Sequence, residues 1–435
     1  MLTAFVRAFK TPDLRRKLLF TLGIMALFRF GSFVPTPGVS YPHVRQCLSK
    51  ISAAGGNNLY QLVNLFSGGA LLQLSVFALG IMPYITASII VQLLTVVIPR
   101  FEALKQEGQS GTSKLTQYTR YLTIGLAVLQ STTLIAVARS GQLFNGIDCP
   151  PVIPHQSLIN ILIMVFTMTA GTGLIMWLGE LITEHGIGNG MSLLIFTSIA
   201  ARFPSSVWSI GTAKGWWTMA MVIAIGLLIV GLVVFVEQSQ RRVPVQYAKR
   251  MVGRRMYGGS STYIPIKVNM AGVIPVIFAS SLLYLPALIA QFRRNSKEGW
   301  VDWIQVNLTK GDHPIYILSY FLLIVFFTYF YVAITFNPDE VAENMKKYGG
   351  FIPGIRAGRP TAQYLDYVLT RITLPGSLYL GLVALIPLVA LVLVNANQNF
   401  PFGGTSILIV VGVGLDTVKQ IESQLQQRHY EGFLR

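Results

Sequence analysis

Ten runs of apolar residues, separated by short polar breaks, succeed one another between residues 18 and 418. A helical crossing of the bilayer core needs about 20 apolar residues, with a range of roughly 17–25. The runs cover 18–34, 74–98, 121–137, 158–178, 191–201, 216–236, 268–289, 315–336, 372–394 and 403–418, and most meet that length outright. In lipid every peptide N–H and C=O must be satisfied within its own segment, so such runs read as helices. The fifth is too short alone. It either borrows residues from its flanks or lies inside the bundle, where its ends can meet water. The expected fold class is all-α: a polytopic membrane protein with ten transmembrane helices.

Composition and charge agree. Hydrophobic residues make up 52% of the chain and charged residues only 12%, against about 25% charged in soluble proteins. A net charge of +17 would suit a nucleic-acid binder only if a basic soluble domain carried it; here Lys and Arg sit in short clusters between the apolar runs. With the N-terminus inside, the inside segments hold 24 Lys and Arg and the outside segments 9, Arg29 within the first run completing the 34. That bias places both termini in the cytoplasm, and a missed helix would have scrambled it.

The first run is followed by Pro35-Thr36-Pro37-Gly38 without a small-residue cleavage site, so it reads as an uncleaved first helix. Ahead of it, Leu2, Phe5, Val6 and Phe9 share one helical face and Arg7 and Lys10 the other, the pattern of a short amphipathic helix on the membrane surface. The two cysteines, Cys47 and Cys149, exclude a disulfide framework and a Cys-based metal site. They read as unpaired thiols, the alternative being one external disulfide if both face the oxidising side.

Two inside loops are too long to be simple connectors. Residues 237–267 carry Arg241-Arg242, Lys249-Arg250 and Arg254-Arg255; residues 337–371 carry Lys346-Lys347 and a Gly-rich turn ending in Arg356. Orientation and anionic-lipid binding would explain some of this charge. Three successive doublets exceed that need and favour a docking surface.

An internal repeat carries more information. Gly80-Ile-Met-Pro83-Tyr-Ile85-Thr-Ala87-Ser88 in the second run aligns with Gly272-Val-Ile-Pro275-Val-Ile277-Phe-Ala279-Ser280 in the seventh. Gly190-Met-Ser192-Leu-Leu194-Ile195 in the fifth aligns with Gly404-Thr-Ser406-Ile-Leu408-Ile409 in the tenth. Both pairs lie five helices apart. An odd number of crossings per half inverts the second copy, which predicts two inverted pseudo-symmetric five-helix halves meeting at the midplane around a pathway. The Gly and Pro residues would loosen the helices beside it.

An ion-coupled transporter places carboxylates or His at mid-membrane. Here Glu180, Glu184, Glu237, Asp366 and Asp416 all fall at run ends or in loops. The repeated positions supply isoleucines instead: Ile85 with Ile277, Ile195 with Ile409, and Ile81 one turn before Ile85. An apolar ring holds back water and ions without imposing a hydrogen-bond code on its cargo. Spacing alone would assign these residues to ordinary helix packing. The stretch 59–70, ending in Gly68-Gly69-Ala70, has helical spacing but is too short to cross; it is an external linker or a short re-entrant helix. Gln92, Gln130 and Asn269 are the notable polar residues inside the runs and should seek one another or a water-filled seam. A small-solute transporter and an intramembrane protease are the competing classes. The first lacks its mid-membrane carboxylate, and the second lacks a nucleophile near His185, His313 or His429.

Several motifs together resemble the SecY family of protein-conducting channels along nearly the whole chain. They are Phe66-Ser-Gly-Gly-Ala70, Ala78-Leu-Gly-Ile-Met-Pro-Tyr84, Trp177-Leu-Gly-Glu180, Gly186-Ile-Gly-Asn-Gly190, Lys267-Val-Asn-Met-Ala-Gly-Val-Ile-Pro275 and Pro353-Gly-Ile-Arg356. The resemblance implies an hourglass pore between the halves 18–211 and 212–420, with a cytosolic N-terminus (1–17) and tail (421–435), and a lateral gate to lipid between the second and seventh helices. It implies a pore ring of Ile81, Ile85, Ile195, Ile277 and Ile409. A plug would lie at about 59–73, including Leu62, Asn64, Phe66, Ser67, Gly68 and Gly69. Gln92, Gln130 and Asn269 would form the polar cluster of the gate, and Arg254, Arg255 and Arg356 would dock the ribosome and the SecA motor. The partners implied are SecE, SecG, SecA, the ribosome with ribosomal RNA at the cytosolic loops, signal peptides, nascent chains and anionic lipids. Ala357 departs from the family, where Pro is common. The implied activity is non-enzymatic, without cofactor or metal, at the cell membrane. With no Walker-type phosphate loop in the sequence, a partner must supply the energy.

Overall fold

The computed structural model describes residues 9, 11–54, 69–71, 73–139, 150–154, 157–247, 250–252, 255–257, 261–292, 299–308, 313–394 and 404–431. The amphipathic stretch before the first helix and all of the expected plug but 69–71 and 73 lie outside them, Leu62, Asn64, Phe66, Ser67 and Gly68 included.

Each apolar run has its helix. In chain order these are α1 (Pro12–Gly31), α2 (Tyr41–Ala54), α3 (Met82–Val97), α4 (Pro99–Gln106), α5 (Gln109–Arg139), α6 (Leu158–His185), α7 (Gly190–Ala200) and α8 (Phe203–Lys214). The second part of the chain holds α9 (Trp216–Gln238), α10 (Ile274–Phe292), α11 (Gly299–Asn307), α12 (Pro314–Thr335), α13 (Pro338–Lys347), α14 (Arg359–Val394) and α15 (Gly404–Glu431). Among the described residues, Gln109–Arg139, Leu158–His185, Met219–Gln238, Pro314–Lys347 and Arg359–Ile386 are long and apolar enough to cross a membrane unaided. Met82–Val97 with Pro99–Gln106 adds a sixth, bent by 100°. The bend has a local cause: Ile98 precedes Pro99 and is held extended (φ −104°, ψ 112°), which ends α3.

The short fifth crossing is a buried helix. α7 has 11 residues, and Leu193, Leu194, Ile195, Ser198 and Ile199 are all buried. It packs on α1, α6 and α15, and α8 continues the chain after a two-residue break. Asn189 caps it, its side-chain oxygen accepting from the backbone N–H of Met191 (3.1 Å) and Ser192 (3.4 Å). A methyl group on Gly190 would collide with the Gly179 carbonyl, so the Gly-rich motif before α7 sets how closely it lies on α6.

The repeat survives in the backbone but with a different role for its glycines and prolines. Gly80 and Gly272 both adopt left-handed φ, +57° and +62°. In each copy the helix starts two residues later, at Met82 or Ile274, with Pro in its first turn. There a missing N–H leaves no hydrogen bond unmade. The pair therefore starts helices rather than loosening them, and residues 74–81 are turns instead of the first part of a helix. The burial pattern repeats as well: Ala87 and Ala279 are both fully buried, as are Leu194 and Leu408.

Two polar-end clusters close the bundle. Leu14 and Leu18 of α1 pack with Ile187, Ile421 and Leu425, so the start of the first crossing and the extension of the last lie together. Beside them the two basic loops join in one antiparallel sheet. β1 (Gln240–Tyr247) pairs along seven residues with β4 (Ser261–Lys267), and β5 (Gly350–Phe351) adds to its other edge through Gln246↔Phe351 and Tyr247↔Gly350. A separate pair, β2 (Arg250–Val252) with β3 (Arg255–Tyr257), forms within the first loop. Val243, Val245 and Ile266 bury their side chains against Met345, Leu365 and Leu369 of α13 and α14.

At the opposite end, the reading of two unpaired thiols is overturned. Cys47 of α2 is disulfide-bonded and fully buried. The sequence holds one other cysteine, Cys149, which lies outside the described residues. Non-covalent contacts bring the same two segments together: the Ser40 N–H donates to the Val152 carbonyl (3.0 Å), and His43 Nδ1 lies 2.9 Å from the Pro151 carbonyl oxygen. Spacing in sequence hid the bridge because 101 residues and two crossings separate the cysteines.

Without reductant, neither cysteine should react with a maleimide under denaturing conditions, and both should react after reduction. Cys47→Ser should lower stability by about 2–4 kcal/mol, the usual worth of a bridge closing a long loop. Gly272→Ala meets open space, so its penalty is conformational alone, about 1–2 kcal/mol for a left-handed φ. Thermal unfolding in detergent should show that loss, whereas Gly23→Ala, inside a helix and also in open space, should gain about 0.5–1 kcal/mol.

Candidate functional site

The helices that carry the repeat converge at the centre of the molecule. α3 supplies Ile85 with Ile81 just ahead of it, α7 supplies Ile195, α10 supplies Ile277 and α15 supplies Ile409. All five side chains belong to one buried apolar cluster, with relative exposures of 2% (Ile81), 9% (Ile85), 4% (Ile195), 8% (Ile277) and 1% (Ile409). Residues far apart in the chain, from opposite halves of the repeat, thus share one continuous core, which also takes in Phe28, Ile182, Ile324 and Leu380. α3 touches α10 and α7 touches α15, so each repeated helix contacts its own counterpart.

Four hydroxyls beside the cluster are satisfied by their own helices, while Ser281 Oγ and Tyr379 Oη are buried there without a partner among the described residues. Thr86 donates to the Met82 carbonyl (2.9 Å), Ser280 to Ile277 (2.8 Å), Thr197 to Leu193 (2.7 Å) and Ser198 to Leu194 (3.0 Å). A hydroxyl so bonded presents no free donor to a neighbouring helix. The five isoleucines themselves offer water no partner.

Charged groups stand at the helix ends. Arg120 grips Glu180 with two parallel hydrogen bonds of 2.8 Å, from Nε and Nη2, locking α5 to α6. Lys267 lies 3.6 Å from Asp416, linking the end of β4 to α15. Among the described residues no group of three or more His, Cys, Asp or Glu could hold a metal.

The other sequence-selected residues lie as follows. Gln92 on α3 and Gln130 on α5 are half-buried, and both helices touch α10. Asn269 is 3% exposed, but its described hydrogen bonds go to Glu237 Oε1 (2.6 Å) and the Gly272 carbonyl (3.1 Å), not to either glutamine. The sequence reading passed over Glu237 as a partner because 32 residues and a whole hairpin separate it from Asn269. Gly69 is buried with left-handed φ (+97°), pressed against the Arg202 guanidinium. Arg356 is exposed beside the three-stranded sheet, its carbonyl accepting from Thr361 Oγ1 (2.9 Å). Arg255 belongs to β3, and Arg254 lies outside the described residues.

Comparison with known proteins agrees with this arrangement. The SecY family model matches residues 75–418. The chain is 70% identical over 440 residues to the protein translocase subunit SecY of Streptomyces galbus, with both chains covered in full. It is 60% identical over 442 residues to that of Mycobacterium bovis, again covering both in full. Among solved structures it is similar to one described as a protein conducting channel, at a TM-score of 0.61 and 18% identity over 94% of this chain and 91% of the other. It is also similar to Sec61 in the canine ribosome-channel complex from the endoplasmic reticulum, at a TM-score of 0.59 and 17% identity, with the same coverage. The chain belongs to the SecY family.

Proposed function

We propose that this chain is the channel-forming subunit of a protein translocase, passing unfolded polypeptides across the cell membrane and releasing apolar segments sideways into lipid. The observation that supports the reading is the burial of Ile81, Ile85, Ile195, Ile277 and Ile409, from both inverted repeats, in one apolar core. A ring of such side chains closes around a chain of any sequence, because dispersion contacts need no matching donors, and it resists ions when empty. The contact between α3 and α10 is the seam that parts as the lateral gate, with Gln92 and Gln130 on the helices bordering α10. The plug is residues 59–73, resting by Gly69 near Arg202. The halves are 18–211 and 212–420, flanked by the cytosolic N-terminus 1–17 and tail 421–435.

Both termini are cytoplasmic. Supporting this are the excess of 24 inside over 9 outside Lys and Arg, and the packing of Leu14 and Leu18 with Ile421 and Leu425, which suits an even number of crossings. The bridge at Cys47 then faces the oxidising side, where disulfides persist. The sheet that joins the two basic loops is one cytosolic platform. Arg356 beside it, with Arg254 and Arg255 farther along the first loop, contacts the SecA motor and the ribosome, including ribosomal RNA. SecE and SecG complete the complex, and anionic lipid surrounds the basic ends. The channel is a passive conduit: a signal helix intercalates at α3 and α10, its burial favours the parted state, and the plug leaves the pore.

Replacing Ile85, Ile195, Ile277 and Ile409 together with Asn should raise ion leak through the resting channel on the order of tenfold or more, because polar side chains let the constriction wet. Planar-bilayer conductance equal to the parent would remove the pore-ring assignment. A secretory chain stalled in transit should crosslink to Ile85→Cys and Ile277→Cys, and not to Trp217→Cys, whose side chain faces outward. Arg356→Glu should impair motor-driven export several-fold more than membrane insertion. Equal impairment in vesicle assays would sink its docking role.

A further inference from the structure

The cytosolic hairpin is joined to the gate helix α10 with little slack. The β1–β4 ladder runs down to Gln240↔Lys267 and continues through the Val268 N–H, which donates to the Ser239 carbonyl (3.0 Å). Ser239 alone separates α9 from β1, and its hydroxyl bonds back to the Phe235 carbonyl (2.7 Å). On the other strand, residues 268–273 separate β4 from α10.

Within that connector Asn269 is buried and ties two elements at once. Its amide donates to Glu237 Oε1 (2.6 Å), at the end of α9, and to the carbonyl of Gly272 (3.1 Å), the left-handed residue from which α10 starts. The connector is also pressed on α14, where a methyl group at Gly376 would collide with the Val268 carbonyl. A displacement of the hairpin therefore reaches the start of α10 through one side-chain bridge rather than through a loose loop.

We infer that the Glu237–Asn269 hydrogen bond is the positioning link that carries partner docking on the hairpin to α10, so that a docked partner parts α10 from α3 only while that bond is made. The inference rests on the channel reading above and adds the element that couples its platform to its gate. It separates two routes to the open state. A signal helix acts directly at the α3–α10 seam and does not need the link. A partner on the hairpin acts through it.

The test uses the full complex in vesicles, with a dye pair on Ser88→Cys of α3 and Ser280→Cys of α10 reporting gate separation. The native disulfide is left oxidised so that Cys47 and Cys149 stay silent. Two triggers are compared: a synthetic signal peptide alone, and the SecA motor alone with a non-hydrolysable nucleotide. Asn269→Asp keeps the size of the side chain but removes the donor and sets a carboxylate against Glu237. It should respond to the signal peptide as the parent does and lose roughly tenfold of its response to the motor, the effect of losing one charge-assisted hydrogen bond on an equilibrium. Glu237→Ala should behave alike, and Glu237→Gln, which keeps an acceptor for the Asn269 amide, should restore the motor response. A purely structural bond would lower both responses together. A parent-like motor response in Asn269→Asp, or an equal loss with both triggers, overturns the coupling. A parent protein that opens with neither trigger overturns the channel reading itself.

Discussion

Hydrocarbon offers a peptide group no hydrogen-bond partner, and the architecture follows from how each segment meets that demand. The long crossings α5, α6, α9, α12 and α14 satisfy it alone, as continuous helices. The irregular backbone is confined to places shielded by protein. Residues 74–81, which run as turns ahead of α3, are almost wholly buried, and α7 is packed between α1, α6 and α15. Residues 74–81 and α7 thus lie inside the bundle, while the long helices present exposed apolar faces outward.

The same demand explains the chemistry of the centre. Thr86, Thr197, Ser198 and Ser280 turn their hydroxyls back to their own helices, in a core where the five isoleucines are buried. Branched aliphatic side chains make many weak contacts and no directional ones, which is what the proposed seal requires. Charge is kept at the ends, in the bidentate Arg120–Glu180 pair and the Lys267–Asp416 pair, where it fixes helices to one another without crossing the apolar layer. The disulfide at Cys47 clamps the opposite end.

Much of this was legible before any coordinates. The ten runs all became helices because apolar length alone is decisive in lipid, whereas the four repeated isoleucines read by spacing alone as ordinary packing and were singled out only with the family resemblance. Other readings failed for definite physical reasons. Residues 74–81 are apolar enough for helix, but Gly80 takes a left-handed turn and Pro83 fits only a first turn, so α3 starts at Met82. Asn269 was grouped with Gln92 and Gln130 by polarity; it bonds Glu237 instead, because the β1–β4 ladder brings the two ends of the hairpin together. The union of the two basic loops in one sheet left no trace in periodicity, since β5 is only two residues long.

By itself, the sequence determined the solvent in which this protein folds, its succession of apolar helices and the inverted repeat, because all of these depend on composition and spacing along the chain. Tertiary structure decided which residues meet: five isoleucines in one cluster, Cys47 in its bridge, Glu237 with Asn269, β5 beside β1. Each of these joins residues that are remote in sequence and lack a local signal of their own. Their pairing is set by how helices pack and strands register across the whole bundle, and only the folded chain specifies that.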